Sequence, residues 1–98
     1  MRTIKMSIIG LGGRGSWWLS ELLNMEDVEI TAVCDKHEDR MENGRRMCAE
    51  KYGHEVFGSV NWRDVTRLDD GAEAIMITTY WNDHVKVAID AMKHGKYA

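Results

Sequence analysis

The run Gly10-Leu11-Gly12-Gly13-Arg14-Gly15 constrains this chain more than any other feature, because a short apolar segment precedes it and an amphipathic segment follows it. It fits G-x-G-x-x-G at a strand-to-helix turn, where backbone N–H groups and the positive end of a helix converge on a point that can hold a pyrophosphate. Each glycine has its own duty there. Gly10 permits the tight turn, Gly12 lets phosphates approach the backbone without a Cβ in the way, and Gly15 lets helix and strand pack closely.

The second half of the constellation is an acid. Asp35 ends the next apolar run, 20 residues after Gly15, where the adenosine ribose of a dinucleotide would lie. Its carboxylate can accept both ribose hydroxyls and would repel a 2′-phosphate, which favours NAD over NADP. Lys36 and Arg40 weigh the other way, since cations just after this strand are what a phosphate-accepting site uses. A glycine-rich turn beside a surface acid would show the same residue types, but here strand, glycines, helix and acid are all in register. Other nucleotide chemistries fit less well. Methyltransferase glycines alternate where this chain has Arg14, flavin sites usually end the second strand on Glu, and no G-K-[ST] run occurs for a P-loop.

Short apolar runs alternate with longer amphipathic ones, which is the pattern of parallel β-α-β units. Strands are expected at Lys5–Ile9, Glu29–Asp35, Glu55–Gly58 and Glu73–Thr78. Helices are expected at about Ser16–Asn24, with Trp18, Leu19, Leu22 and Leu23 on its apolar face, and at Asp39–Tyr52, mostly solvated despite Gly44. A helical turn or two is expected within Asn61–Leu68. The last helix has Asn82 or Asp83 as its cap, Val85, Ala88, Ile89 and Met92 along one face, and Gly95 just past its end. Lys96-Tyr97-Ala98 reads as the start of a fifth strand. The fold class is therefore α/β, a doubly wound parallel sheet stopping after the fourth helix, with residues 1–98 forming one dinucleotide-binding domain. Stopping there leaves strand four as an apolar edge without proline, and a homo-oligomer pairing along it is expected.

Composition narrows the partners. At 44% hydrophobic and 30% charged residues the chain is globular, and its net charge of −3 gives no general affinity for nucleic acid or anionic lipid. No apolar run is long enough for a membrane span and the N-terminus lacks a secretory signal pattern, which points to the cytoplasm. Cys34 and Cys48 make no C-x-x-C motif and the four histidines no ligand pair, so buried free thiols and no metal are expected.

Ile8-Ile9-Gly10-Leu11-Gly12, Val33-Cys34-Asp35 and Ile77-Thr78-Thr79-Tyr80-Trp81-Asn82-Asp83-His84 together resemble the N-terminal Rossmann domain of the Gfo/Idh/MocA oxidoreductases. The similarity covers nearly all 98 residues, ending on Ala88-Ile89-Asp90-Ala91-Met92-Lys93-His94-Gly95-Lys96. It implies NAD binding for chemistry on a sugar or polyol. The family's T-P-x-x-x-H segment borders the nicotinamide side of the cofactor, and Thr79, Trp81 and His84 match it while Tyr80 replaces the proline. Thr78, just before it, joins the implied cofactor-binding set, as do Leu11 and Gly13 within the glycine run. Gly12 to Gly15 and Trp81 are similar to one branch, the NAD-dependent glycosidases of family 109 acting on α-N-acetylgalactosaminides. Trp17, Trp18 and Trp81 read more simply as core or interdomain aromatics than as a sugar platform. Family members continue into a C-terminal domain that supplies the substrate pocket and catalytic acid or base. No catalytic residue is therefore assigned within these 98 residues, and the isolated chain is expected to be inactive. A non-catalytic dinucleotide-binding module is the alternative.

Overall fold

The computed structural model describes residues 3–68, 71–78 and 81–97, with only the backbone described at residues 81–84. The chain runs β1 (Ile4–Ile9), α1 (Gly13–Leu23), β2 (Val28–Cys34), α2 (Glu38–Tyr52), β3 (Phe57–Ser59), α3 (Trp62–Thr66), β4 (Ala74–Ile77) and α4 (Trp81–Lys93). The sheet order is β3-β2-β1-β4, and every pairing is parallel. Crossing from β3 to the far side of β1 reverses the winding direction, so the sheet is doubly wound and the fold class read from the sequence holds.

Strand alternation sends neighbouring residues to opposite faces. Ile8 and Val33 join Leu19, Leu22 and Leu23 of α1 and Cys48 of α2 in one core, while Ile9, Ala32, Cys34, Ile75 and Ile77 join Val65 of α3 and Val87 and Ala91 of α4 in the other. Both faces are thus covered, as the near-continuous apolar character of β2 requires. Trp18 packs against the first core and Trp17 stays 55% exposed, the two rings meeting edge to face at 4.8 Å. Where β2 extends beyond β3, the Tyr52 hydroxyl accepts the Ile30 N–H at 2.9 Å.

Four expectations change. Helix α1 starts at Gly13, not Ser16, because the packing of Leu19, Leu22 and Leu23 carries helical geometry back into residues of low intrinsic propensity. The α4 stripe of Val85, Ile89 and Met92 is exposed, and the buried face is Val87 and Ala91. Smaller side chains let α4 lie close to the sheet, and helical spacing alone does not choose between two apolar stripes. Strand β3 is shorter and sits two residues later than expected. Helix α4 begins at Trp81, so Asn82 and Asp83 fall in its first turn, with their side chains outside the described residues.

Gly44 costs α2 little because it serves packing. A Cβ there would lie 2.7 Å from Leu11 Cδ1, so the glycine admits the leucine of the β1–α1 turn beneath the helix. At the other end Gly95 takes φ +77° after α4. The buried Lys96 ammonium donates to the Val65 and Leu68 carbonyls at 3.1 and 2.7 Å. Tyr97 then forms a parallel bridge with Ala74, its N–H donating to Glu73 O and its carbonyl accepting from Ile75 N–H. This is the start of a fifth strand beside β4, as expected. No helix among the described residues is long and apolar enough to cross a membrane.

Candidate functional site

The β1–α1 turn is fastened at both backbone groups of Gly10 and of Leu11 before α1 begins. Gly10 N–H donates to Cys34 O at 2.8 Å, and Gly10 O accepts the Thr78 hydroxyl at 2.6 Å. Leu11 N–H donates to Asp35 Oδ2 at 2.7 Å, and Leu11 O accepts the Ser16 hydroxyl at 2.7 Å. Gly10 has φ +103°, a conformation L side chains rarely adopt. A Cβ on Gly15 would fall 2.0 Å from Gly10 O, so only glycine lets the helix cross the strand this closely.

What the turn leaves open is the end of α1. Gly12 is its N-cap and offers no side-chain acceptor, and no acid stands in the first turn. The N–H groups of that turn have no acceptor within the helix, and the helix dipole places positive potential there. A Cβ on Gly13 would meet nothing within 4 Å, and one on Gly12 nothing closer than Arg40 Nη1 at 3.6 Å. The glycines thus keep clear a space that an anion can occupy against bare backbone.

That space is part of a cavity of about 270 Å³ at the C-terminal ends of the four strands. Gly10, Gly12, Gly13, Arg14 and Gly15 line it from the turn, Asp35, Lys36 and Arg40 from the β2 side, and Thr78 from the end of β4. Leu11 does not line it. Its side chain is buried in the core under α2, and it serves the site through its backbone. Asp35 is only 7% exposed, with Oδ2 accepting from Leu11 N–H and Oδ1 from His37 N–H at 2.8 Å. Each oxygen retains a second lone pair, so the carboxylate can hold the turn and still accept a hydroxyl. Thr79 lies outside the described residues, as do the side chains of Trp81 and His84, whose backbones open α4.

The structure adds residues that no motif pointed to. Ile9, Cys34 and His37 line the cavity near the glycine turn and Asp35, and Val60 and Trp62 close it on the β3 side. Both cysteines are buried free thiols. Burial pushes the Cys34 thiol up to about 12, with the Asp35 and Asp64 carboxylates adding to the effect. Burial alone pushes Cys48 up to about 11. No group of three or more His, Cys, Asp or Glu side chains able to hold a metal ion occurs among the described residues. A donor-rich helix end, cations at positions 14, 36 and 40 and the Asp35 carboxylate form a set that fits the pyrophosphate and adenosine ribose of a dinucleotide.

Comparisons with known proteins agree with that chemistry. Residues 4–98 match the family model described as the GFO_IDH_MocA oxidoreductase family, NAD-binding Rossmann fold. The chain is 32% identical over 99 residues to glycosyl hydrolase family 109 protein 3 of Phocaeicola vulgatus, covering 99% of this chain and 18% of that protein. It is 30% identical to the alpha-N-acetylgalactosaminidase of Shewanella oneidensis, covering 100% of this chain and 22% of that one. The chain therefore spans about a fifth of the length of the curated relatives it matches. Among solved structures, scyllo-inositol dehydrogenase from Lactobacillus casei with bound NAD(H) and scyllo-inositol superposes with a TM-score of 0.81 at 22% identity, over 97% of this chain and 26% of that one.

The two thiols generate a pH-dependent prediction. Because burial raises both, the folded state keeps its thiols protonated after those of the unfolded chain ionise, and it then binds more protons than the unfolded state. Their contribution to stability is complete below the ordinary thiol pKa and is lost as pH rises through about 9 to 12. Ellman's reagent at about pH 8 should modify neither thiol in the folded chain and both in urea. Rapid modification of the folded chain would contradict the burial of Cys34 and Cys48.

Proposed function

The chain belongs to the Gfo/Idh/MocA oxidoreductase family as an NAD-binding Rossmann domain, and from that premise we propose that its cavity holds the adenosine and pyrophosphate half of NAD for an enzyme acting on a sugar or polyol. One observation carries the reading: an uncapped helix N-terminus on bare glycine backbone and a buried carboxylate at the end of β2 line the same cavity. The first-turn N–H groups of α1 hold the pyrophosphate, and Arg14 and Arg40 balance its charge. The second lone pairs of Asp35 accept the ribose hydroxyls. Lys36 sits beside that ribose, and Thr78 fixes the Gly10 carbonyl. Thr79, Trp81 and His84 border the nicotinamide side, as the family's pattern implies. Bound NAD supplies the hydride acceptor, and this chain's residues position it.

Substrate binding and proton transfer belong, in this reading, to a C-terminal domain outside these 98 residues, and the relatives' five-fold greater length supports that division. A second reading has a specific observation behind it. The curated relatives at 30–32% identity are named as family 109 glycosyl hydrolases and an alpha-N-acetylgalactosaminidase. An NAD-dependent glycosidase acting on α-N-acetylgalactosaminides is therefore the runner-up to a dehydrogenase. Two buried free thiols suit a reducing cytoplasm. Tyr97 covers β4's outer edge at Glu73 and Ile75, and pairing of two copies beyond it, at Ile77, is the assembly this reading includes.

Calorimetric titration tests the cofactor assignment. NAD and ADP-ribose should bind with similar affinity and NADP more weakly, because Asp35 opposes a 2′-phosphate. Tighter binding of NADP would remove Asp35 from that role. Sedimentation velocity at micromolar concentration tests the assembly: a species larger than the 11.3 kDa monomer is expected, and monomer alone would refute the edge pairing.

A further inference from the structure

Helix α1 has an outward side that the nucleotide cavity leaves unused. Gly15, Leu19, Leu22 and Leu23 turn inward and are buried. Arg14, Trp17, Trp18 and Glu21 follow one another at i, i+3, i+4 and i+7, a spacing that gathers them on the outward side. Arg14, Trp17 and Trp18 line a shallow hollow there. Trp17 is 55% exposed, which excludes a core role, and its ring meets that of Trp18 at 77° with the centroids 4.8 Å apart. Trp18 in turn packs against the core beneath α1. The buried ring thus steadies the exposed one, and a broad indole surface is presented to solvent before any ligand arrives.

The charged groups at its two ends select the ligand. Arg14, one turn before the aromatic pair, offers only donors, and Glu21, one turn after it, offers only acceptors. Both are exposed, and among the described residues neither forms an ion pair. A polyanion laid on Trp17 would meet the Glu21 carboxylate, and a wholly apolar ligand would leave both charges unanswered. A sugar ring answers all of them. Its C–H face lies on the indole, and its hydroxyls, each able to donate and accept, pair with the guanidinium at one end and the carboxylate at the other. We infer that Arg14, Trp17, Trp18 and Glu21 form a carbohydrate-binding surface outside the nucleotide cavity, taking an uncharged pyranose ring by stacking on Trp17. Arg14 lines both the hollow and the cavity, so the surface starts where the cavity ends, while Trp17, Trp18 and Glu21 stand clear of the nucleotide. The assignment goes beyond the NAD reading and does not depend on it. For an enzyme acting on a sugar, such a surface holds carbohydrate beside the cofactor domain and raises its local concentration.

NMR of the indole N–H signals tests the surface. The 98-residue chain and its Trp17→Ala, Trp17→Phe and Glu21→Ala variants are titrated with N-acetylgalactosamine and with galactose, in the presence of NAD to fill the cavity. The expected result is a saturable shift at Trp17 and Trp18 with a Kd of about 1–10 mM. At Trp18 the shift should vanish in Trp17→Ala and weaken about threefold or more in Trp17→Phe and Glu21→Ala. ADP-ribose affinity and thermal transitions should match the unsubstituted chain in all three variants, because Trp17 and Glu21 are exposed. Absence of a saturable shift in the unsubstituted chain would overturn the proposal, as would an undiminished shift at Trp18 in Trp17→Ala. A loss of ADP-ribose affinity or of thermal stability in Trp17→Ala would also overturn it, by making the aromatic pair a support of α1. Trp17 signals that move with protein concentration and not with sugar would assign the surface to a second copy, and so overturn it too. Failure of NAD and ADP-ribose to bind, with the sugar shifts intact, would overturn the cofactor reading alone.

Discussion

The rest of the site depends on one buried carboxylate. Asp35 accepts Leu11 N–H with one oxygen and His37 N–H with the other, and so joins the glycine turn after β1 to the loop after β2. Hydrogen bonds to a charged acceptor contribute about 1.5–3 kcal/mol each, enough to hold a turn that glycines would otherwise leave loose. With Leu11 N–H committed, its side chain passes under α2 at Gly44, and α1 starts two residues later with its N–H groups unspent. Orientation of the glycine-turn backbone is thus a consequence of an acid 24 residues away.

Around this latch the strand ends are tied to one another. Gly10 bonds to Cys34, Thr78 to Gly10 and Ile9, and Asp35 to Ser59, so the cavity floor is a set of cross-strand contacts at the ends of a parallel sheet. Such a floor is rigid and electropositive at one end, and Asp35 stands at its centre. It suits the holding of a dinucleotide more than the transformation of a substrate, because hydride transfer also requires a second reactant held within contact distance of the nicotinamide. That separation of duties matches a domain spanning a fifth of its relatives' length.

How much of this was legible in the sequence depended on whether a residue acts at a fixed offset. The place of Gly10, Gly12, Gly15 and Asp35 at one cavity was, because a strand-to-helix turn and the end of the next strand stand at fixed spacing in one local β-α-β unit. The second employment of Asp35 was not, since a carboxylate that binds backbone looks the same in sequence as one that awaits a ligand. The buried face of α4 was hidden by two apolar stripes, and only the closeness of the sheet selects Val87 and Ala91 over Val85 and Ile89. Gly44 has the sequence signature of a helix defect, and only the tertiary position of Leu11 beneath it explains the missing Cβ. Val60 and Trp62 had no motif at all. They reach the cavity through the strand order, which joins segments that no local pattern relates.

The central claim is that Asp35 orders the glycine turn before any cofactor arrives. Amide hydrogen exchange at Leu11, followed by NMR in the ligand-free chain, tests it most directly. The account predicts that this amide is protected to about the same degree as those of β1, and that Asp35→Ala removes the protection at Leu11 while sparing the middle of the strand. Exchange at the rate of an unstructured peptide in the unsubstituted chain, with β1 still protected, would contradict it.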